Sequence, residues 1–273
     1  MPAAADQTLA PSSQWVLDYA DDSCALRRTF GPEDEPTWLE IRQYSPRQNY
    51  RLTVASAQYD RRRRQDPVGT FLPGGEEFRD RMAAFGEYGE GMDGVVWHQP
   101  IVSRGDFLDA EGLFDDKTYR EAELQRREVV NSLQLGGVFN DVLILQTGKL
   151  SVPLAALDDC NADLMRHLGV VPFDELAIQP EPVDLMDWGS KLMHSYPTAM
   201  LRSGIEGQIV LRLIVEAAGR PSACLVQEPV VDAEYEDFVC GELLTKGRFN
   251  PGRNAEGDPI RSMHSLAIVY TLQ

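Results

Sequence analysis

The chain has 273 residues, of which 43% are hydrophobic and 25% charged, a composition typical of a globular protein and not of a disordered or fibrous one. Asp and Glu number 43 against 26 Lys and Arg, so the formal net charge is -17 at pH 7. Because affinity for nucleic acid depends on basic side chains that displace counterions, this charge argues against a nucleic-acid partner. No apolar run approaches the roughly 18 residues that a membrane helix needs, so the sequence predicts no membrane span.

The first six residues, Met1 to Asp6, contain neither the basic nor the apolar region of a signal peptide. They resemble what remains after a small-residue cleavage site. This favours a mature exported, periplasmic protein from which a leader or anchor has been removed. A native cytosolic start is the alternative.

The four cysteines are well separated and allow three disulfide pairings; they are Cys24, Cys160, Cys224 and Cys240. None lies in a CxxC motif, and no histidine falls near a cysteine or another histidine in metal-ligand spacing, so no metal site is predicted. An even number of separated cysteines favours disulfides in an oxidising compartment. Four buried thiols are the alternative.

The front of the chain reads as a flexible tail at residues 1–14 and a strand-rich domain at 15–170. Alternating apolar residues at 38–42 and 50–54 predict a hairpin with a longer loop. A second hairpin is predicted around Gly136 and Gly137, from strands at 129–135 and 142–146. Leucines at helical spacing then predict a helix that begins at Ser151 and ends at Gly169.

A proline-rich stretch at 171–194 predicts a linker to a C-terminal domain at 195–273. There a short helix is expected at 198–202, followed by a strand in which Ile209, Leu211, Leu213 and Val215 share the face toward a core. Gln208, Arg212 and Glu216 share the opposite face, as in a sheet with one solvated side. A return strand is predicted at 221–227 after a turn at Ala218 and Gly219.

Asp232 can cap the next helix, in which Tyr235, Val239 and Leu243 form one apolar row. A final strand is predicted from Leu266 to Leu272.

Motifs for catalysis or cofactor binding are weak. Gly89, Gly91 and Gly94 match a dinucleotide fingerprint, but the strand-like Val95–Trp97 follows where a helix N-terminus is required. Acidic pairs such as Asp158-Asp159 read as solvated surface. No nucleophile elbow or zinc-protease motif is present. We therefore expect no enzymatic activity, no catalytic residues and no cofactor.

The C-terminal segment resembles the TonB C-terminal domain. The similarity rests on elements in the same order and spacing over 196–273: Tyr196-Pro197-x-x-Met200, Gly204-Ile205-Glu206-Gly207-Gln208-Ile209-Val210, Val215-Glu216-Ala217-Ala218-Gly219-Arg220-Pro221, Arg248-Phe249-Asn250-Pro251 and Glu256-Gly257-Asp258-Pro259-Ile260. Residues 15–170 resemble the front half of TonB-like envelope proteins of sphingomonad-type bacteria, to which no function is attached. Two positions depart from the family pattern: Glu228-Pro229 replaces two small residues, and Gly247 stands where Trp or Arg is common.

This resemblance implies an α+β protein with a strand-rich N-terminal domain and a small αββαβ C-terminal domain. TonB-like domains capture an extended peptide of an outer-membrane receptor by adding it as a strand to a sheet edge. The expected partner is thus an envelope protein such as a TonB-dependent outer-membrane receptor. The residues expected to bind it form the last strand: Ser265, Leu266, Ala267, Ile268, Val269, Tyr270, Thr271 and Leu272. Proline at Ala267 or Val269 is expected to weaken that binding.

Three other functions remain open at this point. The chain could be an energy transducer whose membrane anchor has been removed, since a transducer needs an anchor and a long proline-rich spacer and the sequence shows neither. An enzyme could occupy residues 15–170, with the C-terminal domain as a docking tail. Alternatively, the protein could be purely structural, with the last strand already paired and covered.

The predicted C-terminal elements also suggest the disulfide pairing. Cys224 lies roughly 20 Å along its strand from the turn near residue 230, and Cys240 lies roughly 12 Å along the following helix. Because the two elements run antiparallel, the two thiols can meet. This pairing leaves Cys24 with Cys160, so one disulfide is predicted in each domain.

Overall fold

The computed structural model describes residues 6–45, 48–60, 62–63, 65–80, 83–88, 91–108, 114–194, 198, 202, 207–228 and 233–270. The protein is mixed α+β and strand-rich, as predicted. It divides into two compact units, Met1–Cys160 and Asn161–Gln273. None of the helices in these described ranges is both long and apolar enough to cross a membrane.

The first unit is built mainly from strands. In chain order they are β1 (Asp6–Leu9), β2 (Val16–Tyr19), β3 (Cys24–Phe30), β4 (Thr37–Gln43), β5 (Tyr50–Ser56), β6 (Val68–Leu72), β7 (Phe78–Arg79), β8 (Ala84–Tyr88), β9 (Met92–Gln99), β10 (Ser132–Gly136) and β11 (Val142–Leu145). A 3-10 turn η1 (Gly105–Phe107) and the helices α1 (Asp116–Val129) and α2 (Ser151–His167) accompany them, and the residues of α2 from Asn161 onward belong to the second unit. The strands form two sheets, in the orders β2-β3-β4-β5-β9-β8 and β1-β11-β10-β6-β7.

Both predicted hairpins of this unit are confirmed, although the first strand of the second hairpin begins at Ser132 and not at Val129, which ends α1. β4 and β5 are antiparallel with Leu39 opposite Val54, and β10 and β11 are antiparallel with Leu133 opposite Leu145. The helix predicted from Ser151 is also confirmed as α2, and Gly169, two residues beyond its end, has φ +71°. These elements could be predicted from the sequence because apolar side chains alternate along the strands and recur every three to four residues along the helix.

One apolar core lies within the first unit. It contains alternate residues of both sheets and the buried row of α2, and it includes the fully enclosed Leu52, Trp97 and Leu133. The disulfide Cys24–Cys160 joins β3 to α2 with a Cα–Cα distance of 6.2 Å, which confirms the predicted pairing.

The N-terminal residues of the first unit differ from their interpretation in the sequence. Residues 6–9, placed in a flexible tail, form β1, which pairs in parallel with β11 and buries Leu9. A strand with a single buried apolar residue gives no alternation to recognise. In the glycine motif, Gly94 lies in β9 with its Cα against the carbonyl of Val54, so this glycine serves close packing of two strands.

The second unit contains η2 (Phe173–Glu175), β12 (Glu181–Pro182), α3 (Leu185–His194), β13 (Gly207–Val215), β14 (Pro221–Glu228), α4 (Ala233–Lys246), β15 (Phe249–Asn250) and β16 (Ser262–Tyr270). The predicted strands and the long helix of this unit are thus present. Of the short helix expected at 198–202 the structure describes only Thr198 and Arg202, and Asp232 lies outside the described residues.

Residues 171–194, for which the sequence predicted a linker, carry η2, β12 and α3. β12 pairs with β15, and the side chains of Trp188 and Leu192 lie in the core beside β13 and α4. The boundary between the two units falls earlier, after Cys160. The proline-rich stretch therefore forms short elements that pack within the second unit, whereas a linker makes few such contacts.

The central strand of the second unit is buried on both faces. Ile209, Leu211, Leu213 and Val215 face α4, as predicted. The opposite face was expected to be solvated, but Arg212 is 2% exposed and Ile214 packs in a second cluster with Met165, Val170 and Met263. Met165 at the end of α2 and Val170 after it pack on this second face of the strand. The sequence of β13 alone could not predict this, because Met165 and Val170 lie more than 40 positions before Ile214 in the chain.

Candidate functional site

The last strand of the chain lies at an edge of the sheet in the second unit. The strand order is β14-β13-β16, and β16 pairs antiparallel with β13 from Ser262 opposite Val215 to Tyr270 opposite Gly207. This register has no bulge, whereas the β13–β14 pair contains two irregularities. Within the described part of the chain, no strand pairs with the outer side of β16, so its outward amides and carbonyls have no strand partner there.

Among the described residues, two neighbouring segments contact side chains at the beginning of β16. The backbone amide of Gly252 donates to the Ser262 hydroxyl at 3.2 Å, and His264 Nδ1 lies 3.0 Å from the carbonyl oxygen of Pro180. Further along, the Ser265 hydroxyl turns inward and donates to the Leu211 carbonyl at 3.3 Å. We call residues 265–270, the part of β16 beyond these contacts, the open edge.

The open edge has one face on the core and one toward the surface. Leu266 and Ile268 pack with the cluster beneath α4, and Ile268 is 7% exposed. Ala267 and Val269 point the other way; Ala267 is exposed and Val269 is 49% exposed. A peptide strand added here would form main-chain hydrogen bonds with β16, which is held in place by β13 and by the core. Its side chains would lie beside Ala267 and Val269.

The opposite edge of the same sheet is tied down. The disulfide Cys224–Cys240 joins β14 to α4 with a Cα–Cα distance of 5.5 Å, which confirms the second predicted pairing. On α4, Tyr235, Val239 and Leu243 are buried in one row, also as predicted. Helix and sheet are thus cross-linked on the side away from the open edge.

The structure places six of the eight predicted partner-binding residues on β16, Ser265 to Tyr270. Thr271 and Leu272 lie outside the described residues. The contacts of Pro180 and Gly252 with the first residues of β16 were not recognised in the sequence; Pro180 lies 84 residues before His264 and reaches it only after folding.

His264 gives this strand a titratable group. Burial lowers the pKa of the imidazole below its ordinary value of 6.5, although the bond to the Pro180 carbonyl acts in the opposite direction. The ring also packs on Phe249 with centroids 5.2 Å apart. Because a carbonyl oxygen only accepts, Nδ1 carries the proton of the neutral imidazole.

We expect the second unit to lose stability as the pH falls below about 6.5. The folded pKa of His264 lies below the unfolded value, so the unfolded chain binds a proton first and gains in population as the pH drops. Urea unfolding can be followed by the indole N–H resonance of Trp188, which donates to Val183 in this unit. In His264→Asn, which retains a donor but does not titrate, this part of the pH dependence should vanish; an unchanged profile would contradict the assignment.

A second cluster of ionisable groups lies in the first unit. The Tyr50 hydroxyl donates to Glu123 Oε1 at 2.6 Å, and Arg127 donates to Tyr50, Glu123 and Asp158 at 2.7, 3.1 and 2.5 Å. Arg120 bridges the second oxygen of Glu123 and Asp158. Asp158 was expected to be solvated surface, and this expectation is wrong, because two guanidinium groups hold it against α1.

This network has the features of a structural cluster. Burial raises the pKa of Tyr50, which therefore stays protonated as a donor, and the surrounding anions raise the pKa of Arg127 against the effect of burial. Both oxygens of Glu123 are engaged by donors. The i, i+3 and i+4 spacings of Arg120, Glu123 and Arg127 indicate helical ion pairs, but Tyr50 and Asp158 could not be assigned to them from the sequence.

Within the described ranges, no group of three or more His, Cys, Asp or Glu side chains is placed so that it could hold a metal ion. The two disulfides are typical of an exported protein. No protein-family model matches this chain, and no curated protein matches it in sequence.

Proposed function

We propose that this protein is a non-enzymatic binding module of the TonB type that captures an extended peptide of an envelope protein on the open edge of β16. The observation that carries the proposal is the outer side of β16, which pairs with no strand in the described part of the chain although the strand is nine residues long and regularly paired with β13. Main-chain hydrogen bonds along such an edge provide affinity for an added strand, and contacts of alternate side chains provide specificity.

The resemblance of 196–273 to the TonB C-terminal domain gives the proposal its partner class. A strand, a return strand, a helix and a third strand follow in the expected order, and the third strand returns beside the first. On this basis the natural partner is the periplasmic segment of an outer-membrane receptor, and the protein works in the periplasm. The two disulfides fit that compartment.

Proline substitutions in the open edge test the proposal. Successive amides of a strand point to opposite sides, so of Leu266→Pro and Ala267→Pro one removes a donor from the β13 pairing and the other a donor from the free side. The variant that loses the outward donor should keep its thermal transition, because its pairing with β13 is intact. We expect this variant to bind synthetic peptides from receptor periplasmic segments about tenfold more weakly than the parent chain, measured by calorimetry.

A matched control places the same residue outside the strand. Ala255 is exposed at the second position of a turn closed by the Gly257 amide and the Asn254 carbonyl, a position that accepts proline. Ala255→Pro should bind like the parent chain. Equal affinity of the parent and the folded strand variant would exclude the open edge as the binding surface.

A further inference from the structure

A cleft of about 590 Å³ lies within the first unit, beside β6, β7 and η1. Its apolar wall includes Phe71, Phe78 and Ile101, and its polar wall includes Arg104 and Arg126. A cavity of this size accommodates a small organic molecule. The cleft belongs to neither the open edge nor the Arg127 network.

Arg126 is the unusual side chain in this cleft. Its Nη2 donates to the carbonyl oxygen of Phe71 at 2.6 Å, and the described residues provide no carboxylate partner for the guanidinium. Burial lowers the pKa of Arg126, and no anion among the described residues offsets that effect.

Other arginines of the first unit show which partners a partly buried guanidinium group has in this protein. Arg42 and Arg120 pair with carboxylates at 3.0 and 2.8–2.9 Å. Arg28, whose pKa burial also lowers, donates to two carbonyl oxygens and lies over the ring of Trp15. Arg104 lies over Phe114 at 4.2 Å and over Tyr119 at 5.0 Å. Arg126 thus retains donors that an incoming oxyanion can use.

The acidic side chains around the cleft limit the charge of the anion that can bind there. Glu76, Glu77 and Asp106 also line it as exposed side chains, and Glu77 pairs with Arg79 at 2.6 Å. These carboxylates disfavour a multiply charged ligand such as a phosphate dianion, because like charges repel. A single carboxylate can be bound bidentately by a guanidinium, while an apolar body rests on Phe78, which is half-buried, whereas Phe71 is 3% exposed.

We propose that this cleft is a binding site for a small monocarboxylate with an apolar body, held by Arg126. The proposal concerns the first unit and is independent of peptide capture by β16.

The test titrates three probes into the full chain and follows backbone amide resonances of Gly74, Gly75 and Gly105, which line the cleft. Phenylacetate carries both the charge and the apolar body, acetate only the charge, and phenylacetamide only the body. We expect phenylacetate to bind with a dissociation constant of about 1 mM and each of the other two at least tenfold more weakly. Absence of phenylacetate binding, or tighter binding of inorganic phosphate, overturns the proposal.

Variants then assign the binding to the guanidinium. Arg126→Gln should weaken phenylacetate at least tenfold, and Arg126→Lys, which keeps the charge but not the bidentate geometry, should weaken it less. Arg166→Gln, an exposed site in the second unit with the same charge change, serves as the control and should bind like the parent. Equal affinity of Arg126→Gln and the control overturns the assignment, and the probe series on the parent chain decides the question if Arg126→Gln does not fold.

Discussion

Arg127→Ala is expected to lower the free energy of unfolding of the first unit by about 3–5 kcal/mol. The guanidinium is 2% exposed and lies between Asp158, Glu123 and the Tyr50 hydroxyl. Its removal leaves the carboxylate of Glu123, itself 1% exposed, with less compensation in a poorly hydrated site. The cost arises from this stranded charge more than from the lost contacts themselves.

Urea unfolding followed by the indole N–H resonance of Trp97 measures this effect, because Trp97 is buried in the core of the first unit and donates to Gln99. Arg127→Ala/Glu123→Ala should be less destabilised than the sum of the single variants, since it removes the stranded carboxylate as well. Arg79→Ala, also in the first unit, breaks the exposed ion pair with Glu77 and should change stability by less than about 1 kcal/mol. A loss at Arg127 as small as that of this control would refute the structural role of the network.

Local elements of the fold could be predicted because their signal lies within a few residues. The β4–β5 hairpin alternates visibly, and the buried row Tyr235, Val239 and Leu243 repeats at helical spacing. β1 could not be predicted, because its pairing with β11 is non-local and only Leu9 is buried. Asp158 was misjudged for the same reason, since its arginine partners lie 31 and 38 residues away in the chain.

The candidate site was predictable in part. The resemblance to the TonB C-terminal domain pointed to the last strand, and the structure places β16 at the edge of its sheet. The extent of the open edge was not predictable, because Pro180 lies 84 residues before His264 and reaches it only after folding. Arg126 also gave no signal, since the absence of a counterion is a property of the assembled cleft and not of α1 alone.

Removing the Cys24–Cys160 disulfide should destabilise the first unit strongly. The two residues are 136 positions apart, and on the chain-entropy model a loop of that length contributes about 5 kcal/mol, at the upper end of the roughly 2–5 kcal/mol that native disulfides provide. Cys24→Ala/Cys160→Ala deletes both sulfurs, so no buried thiol remains to complicate the comparison. The Trp97 indole resonance in urea again reports on the first unit.

The second disulfide supplies the matched control. Cys224 and Cys240 are only 16 positions apart, for which the same model gives about 3 kcal/mol, and the Trp188 indole reports on that unit. Cys224→Ala/Cys240→Ala should therefore cost its unit less than the longer loop costs the first. If the two losses are equal, or the shorter loop costs more, the stabilisation arises from packing around the sulfurs in the folded units, because loop length acts only on the unfolded chain.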